Sequence, residues 1–249
     1  MPQTEELLMF RSLLVILLIL VLGQSSQTLA GVVPALNANF DSDALGTPIY
    51  DLPGEPVGDI IQNPGTNTLS VVSSAGGLTN QPLKIRRSGS GGLTRFKLAP
   101  GLNACESYVL SWKVMFEEHQ QSTTFTIRDT SWDVMAILGF SPAGLWLGYP
   151  SSPIYPDIDD GGTGGIGLIF DFEMTMDTVA DTYSLSLNGT PIAEMQDFKL
   201  WGADLDRLEV AFGGSAGDYV FVDDILVMAD CSFVANEETS WGNVKAYYR

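Results

Sequence analysis

Aromatic side chains in the middle of the chain are the residues best suited to bind a ligand. Pyranose rings stack on exposed Trp and Tyr side chains, while Asp, Asn and Gln fix the sugar hydroxyls. The opposing interpretation is that these aromatics are core residues, since most large aromatics of β-proteins are buried. We predict that Trp132, Trp146, Tyr149 and Tyr155 form a carbohydrate-binding surface. Trp201 is a further candidate for this surface.

An acidic, glycine-rich segment follows these aromatics and contains Asp157, Asp159 and Asp160. Ca²⁺ prefers carboxylate oxygens, so this cluster is a candidate calcium site. It is not an EF-hand loop, because the twelfth position from Asp157 is Leu168 and lacks the bidentate Glu. The alternative is a solvated acidic loop that binds no specific ion.

General catalytic signatures are absent from the sequence. It contains no G-x-S-x-G motif, so the nucleophile elbow of the α/β-hydrolases is excluded. One histidine, His119, and two distant cysteines cannot form a usual zinc site.

The two cysteines, Cys105 and Cys231, form an even pair. In an oxidising compartment such a pair predicts a disulfide, the alternative being two separate thiols. Closing so long a loop would stabilise the fold by about 4 to 5 kcal/mol in the chain-entropy model.

The charge balance indicates which partners to expect. The 249 residues include 30 acidic and 12 basic side chains, a formal net charge of −18. This field repels polyanions and anionic bilayers, so no nucleic-acid partner is expected.

The N-terminus is typical of an export signal. Arg11 precedes the apolar run Leu13–Leu22, and cleavage after Ala30 would remove residues 1–30. As a helix this run would be about 15 Å long, half of a bilayer core, although a retained anchor is the alternative. No later segment has the length and apolarity of a membrane span, so the protein is predicted to be secreted or on the cell surface.

The elements that must position these residues are β-strands. From Ser107 onward, Tyr108, Leu110, Trp112, Val114 and Phe116 fall on one face and Ser111 and Lys113 on the other, which predicts a strand with one buried face and a core position for Trp112. Similar runs start at Leu83, Leu93, Thr123, Val134, Gly144, Ile166, Thr182, Leu208 and Tyr219.

The turns support the same interpretation. Asn188-Gly189 separates two such runs and predicts a type I′ hairpin. The best helix candidate is only a short turn near Ala203 to Leu208. We therefore predict an all-β fold, an antiparallel β-sandwich of the jelly-roll type over residues 31–232, with a short C-terminal tail at 233–249.

Three segments carry a resemblance to a known superfamily. They are the opening Asn37–Pro48, which contains NFDSDALGTP, the hairpin TYSLSLNGTPI from Thr182, and the closing VFVDDILV from Val220. Together they resemble the jelly-roll domains of the concanavalin A-like lectin and glucanase superfamily, which includes laminin-G-like modules.

The resemblance implies that the first and last strands lie side by side. Asp41 would then approach Asp223 and Asp224, and relatives hold a structural Ca²⁺ with residues of this kind. The alternative is that Asp41 binds backbone amides in a turn while one residue of the Asp pair faces water.

The resemblance also raises the possibility of polysaccharide cleavage. Its glucanase branch uses E-x-D-x-x-E on one strand, and the nearest match here is Asp171, Glu173 and Asp177, with Met176 at the expected partner position. A lyase base at His119 competes with a solvated turn formed beside Glu117 and Glu118. We therefore predict a secreted, non-catalytic carbohydrate-binding module whose partner is a glycan or another extracellular surface component. The alternatives are a structural or adhesive surface protein and a polysaccharide-cleaving enzyme.

Overall fold

The computed structural model describes residues 31–41, 43–46, 59–62, 67–78, 81–89, 92–117, 122–141, 144–148, 166–200, 204–212 and 217–231. The predicted signal segment 1–30 and tail 233–249 lie outside these residues and stay predictions. Every named element of the described residues is a strand. The strands are β1 (Gly31–Ala38), β2 (Asp59–Gln62), β3 (Asn67–Val71), β4 (Leu83–Arg87), β5 (Leu93–Lys97), β6 (Ser107–Met115), β7 (Thr123–Asp129), β8 (Val134–Ser141), β9 (Gly144–Gly148), β10 (Ile169–Asp177), β11 (Thr182–Leu187), β12 (Thr190–Asp197), β13 (Leu205–Phe212) and β14 (Tyr219–Cys231).

The strands form two antiparallel sheets. Sheet A has the order β12-β11-β10-β6-β14-β4-β3, with β1 also paired to β14. Sheet B has the order β2-β5-β13-β7-β8-β9. The predicted all-β sandwich is confirmed. Within the described ranges, no helix reaches the length and apolarity of a membrane span.

The core lies between the sheets and is built from the alternating side chains of both. All five apolar residues predicted to share one face of β6 are buried. The Trp112 ring lies 5.2 Å from Phe172 of sheet A and 6.1 Å from Phe125 of sheet B. Its predicted core position is confirmed.

Strand β14 changes neighbours halfway along its length. Its first residues pair with β4, its later residues pair with β1, and β6 runs along its other side. The register against β6 shifts between Asp223 and Leu226, and Asp224 has a positive φ of 49°. This bulge lies where one neighbour replaces the other. Gly31 pairs with Cys231, so the first described strand lies beside the last, as predicted.

The predicted disulfide is confirmed. Ser107 at the start of β6 pairs with Asp230 near the end of β14, which brings Cys105 to Cys231 and allows their bond. The Tyr108 hydroxyl accepts a hydrogen bond from the Cys105 amide and donates one to the Leu102 carbonyl. Both chain ends of the cross-linked loop are thereby fixed beside the core.

One local prediction is confirmed and another is wrong. Asn188 and Gly189 have φ values of 50° and 76°, as the two central residues of a type I′ turn require. The helical turn predicted near Ala203 to Leu208 is wrong, because β13 begins at Leu205. A register shift between Leu205 and Arg207 places Leu205 and Leu208, three residues apart, in the same core. The bulge thus produces a helix-like spacing inside a strand.

Candidate functional site

The structure describes only part of the predicted site. Trp132, Trp146, Asp41, Asp223 and Asp224 are among the described residues. The other site residues lie outside them and stay predictions, namely Tyr149, Tyr155, Asp157, Asp159, Asp160 and also Trp201.

Trp146 lies on the outer face of sheet B. Its neighbours in β9, Leu145 and Leu147, are core residues, so alternation turns the indole outward. A side chain at Gly139 of β8 would overlap the indole ring, which shows that the ring lies directly against the sheet. Trp146 is therefore a half-buried aromatic of the sheet surface and not a core residue.

Trp132 lies on the same outer face, in the turn between β7 and β8. The Asp129 carbonyl accepts a hydrogen bond from the Trp132 amide, and the Asp129 amide donates one to the Asp133 carbonyl. The Asp129 carboxylate also accepts a hydrogen bond from the Asp133 amide at 2.7 Å. Trp132 itself has a φ of 75°, a left-handed conformation that bulky residues rarely adopt. Its side chain is nevertheless 50% exposed. The turn therefore holds a large aromatic at the surface at a cost in backbone strain.

Two arginine side chains support the Trp132 ring. The Arg207 guanidinium carbon lies 3.6 Å from the ring centroid, and that of Arg95 lies 4.6 Å from it. Arg128, one residue before the turn, donates from Nη1 to the Trp132 carbonyl at 2.6 Å. Cation–π contacts and this hydrogen bond fix the aromatic in place.

The three arginines converge on one buried carboxylate. Arg95 Nε donates to Glu209 at 3.0 Å, Arg128 Nε donates to its other oxygen, and Arg207 Nε lies 3.5 Å away. Glu209 is 3% exposed. Burial lowers the pKa of the Arg207 guanidinium, and the charges of Asp206 and Glu209 oppose that effect. We call Arg95, Arg128, Arg207 and Glu209 the arginine cluster.

Sequence reasoning missed the arginine cluster. Each member stands at an outward position of an alternating run, in β5, β7 or β13, where a single charged residue is ordinary. Only the register joins them, because Glu209 pairs with Arg95 on one side and Arg207 pairs with Arg128 on the other. The available signal was weak, because Arg95, Arg128 and Arg207 lie in three separate strands and are three of the 12 basic residues in the whole chain.

The acidic residues of the predicted calcium site occupy the β14 bulge. Asp223 is 2% exposed, and its carboxylate accepts the Asp224 amide at 2.9 Å. Burial raises the pKa of Asp223 to about 6, and repulsion by Asp224 and Asp41 acts in the same direction. Asp41 therefore lies within electrostatic reach of Asp223, as the resemblance implied.

The rest of this arrangement departs from a calcium-ligand set. Asp224 is turned to Lys113, whose Nζ lies 2.7 Å from its carboxylate. The Asp41 carboxylate accepts a hydrogen bond from the Gln81 backbone amide at 3.2 Å, a contact with a residue distant in the sequence and not one within a turn. Across the described residues, no three His, Cys, Asp or Glu side chains come together as a metal-binding group. Calcium stays a prediction.

Of the residues considered for catalysis, the three acids of β10 lie on the outer face of sheet A, whereas His119 and Glu118 lie outside the described residues. Asp171, Glu173 and Asp177 alternate with buried residues of β10 and are exposed. Asp171 pairs with Lys113, and a depression of about 320 Å³ beside them is also lined by Ser111, Asp224 and Leu226. The salt bridge at this depression joins Lys113 to Asp224, and Asp171 is the neighbour of Lys113 in the β10–β6 ladder.

Comparison with known proteins shows the fold and no family. No protein-family model matches the chain, and no curated protein matches it in sequence. Among solved structures, a sialidase aligns with a TM-score of 0.58 at 12% identity, covering 80% of this chain but 19% of the sialidase.

Two toxin domains are similar to the chain in the same way. They are the binding domain of botulinum neurotoxin DC in complex with SialylT, with a TM-score of 0.51, and the binding domain of serotype D, with a TM-score of 0.50. Each is 13% identical, and each alignment covers 79% of this chain and 48% of the toxin chain. The finer assignment to the concanavalin A-like superfamily stays a prediction. What these likenesses establish is the β-sandwich fold.

Proposed function

We propose that this chain is a secreted carbohydrate-binding module whose saccharide stacks on Trp132, on the outer face of sheet B. The observation that carries the proposal is that the Trp132 side chain is half exposed and held in place at the same time. Its backbone adopts a left-handed conformation, and two guanidinium groups fix its ring. Exposure of a large fixed indole is unfavourable for the free protein, and a sugar ring packed on it would recover that apolar surface.

Trp146 extends the same surface. It lies against Gly139, while Trp132 rises from the turn at the start of the same strand, β8. Two aromatics on one sheet face suit a ligand longer than a single sugar. The predicted candidates Tyr149 and Tyr155 follow Trp146 in the chain and belong to the same proposal.

Further support comes from the kind of protein that shares the fold. The sandwich neighbours include a sialidase and a toxin binding domain in complex with SialylT. Secretion is part of the proposal and is supported by the Cys105–Cys231 disulfide, since such bonds persist in oxidising compartments.

Binding to a glycan array, followed by titration calorimetry with the best glycan, tests the proposal. Aromatic residues at the centre of a binding site commonly contribute 2 kcal/mol or more, so Trp132→Ala should weaken binding by about 30-fold. Trp146→Ala should weaken it less, because the indole is already partly buried against the sheet.

Val109→Ala is the matched control, since Val109 is an exposed apolar residue in β6 of sheet A. It should leave affinity unchanged. Circular dichroism and melting must show that each variant is folded. Glycan binding that survives both Trp substitutions would overturn this surface, and the absence of any glycan binding would favour the structural or adhesive alternative.

A further inference from the structure

Building on the proposed function, we infer that the saccharide is acidic and that Arg95 and Arg128 bind its carboxylate or sulfate group. The inference deepens the function proposed for the Trp132 surface by naming the chemical class of its ligand. It rests on the charge, hydrogen bonding and exposure of the arginine cluster.

At ion-pair distance, the guanidinium groups of the cluster outnumber the carboxylates that the described residues provide. Among the described residues, the Asp206 carboxylate forms its one ion pair with Arg207, at 2.9 Å. Arg95 and Arg128 therefore form their ion pairs with Glu209, which Arg207 also approaches. Three guanidinium groups thus face two carboxylates within ion-pair distance in the described residues. An oxyanion placed beside Arg95 and Arg128 would complete the balance.

The same two arginines retain donors that the protein does not use. In the described part of the chain, Arg95 donates only from Nε, and Arg128 donates only from Nε and Nη1. The Arg95 and Arg128 side chains are 20% and 27% exposed, whereas that of Arg207 is 7% exposed. Arg95 and Arg128 are therefore accessible to a ligand, and Arg207 serves to support Trp132.

The geometry places a charge site directly beside a stacking site. The Arg95 guanidinium carbon lies 4.6 Å from the Trp132 ring centroid, so one ligand can reach both groups. A uronic acid carries its carboxylate on the ring itself, and a sulfated sugar carries its anion one oxygen away. Either can stack on Trp132 and bind the planar guanidinium fork at the same time.

The acidic balance of the whole chain restricts the ligand further. A net charge of −18 repels dense polyanions, while the arginine cluster attracts an anion only at short range. A short acidic oligosaccharide, which carries few charges in total, fits both conditions, whereas a long nucleic acid does not.

The test uses pairs of glycans that differ only in charge. Oligogalacturonate is compared with its methyl ester, and a sulfated galactan oligosaccharide with its desulfated form, using the full chain with its disulfide intact. We expect the acidic member of at least one pair to bind at least tenfold more tightly, and the pair that shows the difference identifies carboxylate or sulfate. This comparison needs no variant, so it does not depend on the stability of a mutant.

Variants then locate the anion. Arg95→Gln should reduce the ratio of acidic to neutral affinity at least tenfold, and the affinity for the neutral partner reports separately any loss of the support that Arg95 gives to Trp132. Arg86→Gln in β4 of sheet A removes the same charge far from the cluster and should change neither. Arg95→Lys keeps the charge but not the fork and should give an intermediate value.

The outcomes separate the two proposals. Equal binding of acidic and neutral partners, abolished by Trp132→Ala, overturns the acidic ligand and leaves the carbohydrate module in place. An acidic preference that persists in Arg95→Gln and Arg128→Gln overturns the assignment to this cluster. Binding of sulfate or acetate alone, with no glycan retained, overturns the carbohydrate module.

Discussion

The outer faces of the two sheets differ although both sheets pack on the same core. On sheet A, the outward positions of β10 hold exposed acidic residues. One end of this face is covered by residues 72–78, in which Ala75 and Leu78 pack on Met115 and Phe221. On sheet B, the outward positions hold the arginine cluster and two tryptophans, one of them 50% exposed. The inward positions must be apolar because their side chains are buried in the core. The residues that determine ligand specificity therefore occupy the outward positions.

The depressions on sheet A do not change this contrast. The larger one is lined by the Lys113–Asp224 pair, and a second, of about 240 Å³, lies along β6, β10 and β11. No exposed aromatic lines either in the described residues. The two depressions therefore offer hydroxyl-binding groups without an exposed aromatic, and the aromatic–cation pair of sheet A, Tyr219 with Lys84 Nζ 3.6 Å from its ring centroid, is less exposed than Trp132 on sheet B.

The largest expected effect on stability comes from comparing the same change, Glu to Gln, at one position on each outer face. Glu209→Gln removes the charge that three arginines share, and breaking such a buried pair should cost about 3 kcal/mol. Glu173→Gln, the same change on exposed β10, should alter stability by no more than about 0.5 kcal/mol. Urea unfolding of both variants measures the difference. Equal stabilities would show that the cluster contributes nothing to the fold.

Glycine substitutions should give the next largest effect. A Cβ at Gly139 would overlap Trp146, so Gly139→Ala should displace the indole, destabilise the domain by about 1 to 3 kcal/mol and weaken glycan binding. The matched change on sheet A is Gly76→Ala, whose Cβ would lie 2.5 Å from Met115 Sδ at a φ of 53°. It should destabilise the domain without changing glycan affinity. Loss of affinity in Gly76→Ala instead would place the ligand on sheet A.

The pH dependence of stability should be the smallest effect and should arise on sheet A. The pKa of Asp223 is about 6 in the folded state, against an ordinary 3.8, so the folded state holds this proton more tightly than the unfolded state does. Its stabilising contribution is present below about pH 4 and is lost as the pH rises to about 6. In EDTA, Asp223→Asn should flatten the melting temperature between pH 4 and pH 7 relative to the wild type. Parallel curves would contradict the assignment.

Calcium provides the control for that measurement. A cation bound by Asp41 and Asp223 would favour the ionised carboxylates, so millimolar Ca²⁺ should raise the melting temperature at pH 7 more than at pH 5. Identical melting in EDTA and in Ca²⁺ would remove the calcium hypothesis.

Much of the scaffold follows from the sequence alone. Alternation along Ser107–Met115 predicted a half-buried strand. Asn188-Gly189 predicted the type of the turn between β11 and β12, and the even pair of cysteines predicted the disulfide. These features were predictable because side-chain alternation, left-handed φ values and cysteine chemistry act within a few residues or, for the cysteines, through a single possible pairing.

The candidate site needed the tertiary structure. Arg95, Arg128 and Glu209 come from three strands whose contact depends on register, and nothing local to LTRFK or TTFTIR distinguishes their arginines from ordinary surface charges. The bulge at Asp206 gave β13 a helix-like spacing of apolar residues, which led to the wrong prediction of a helical turn. The chain's local pattern thus determined which side of each strand is buried. The pairing of distant strands decided which outward residues meet, because register is set by the packing of the whole sandwich.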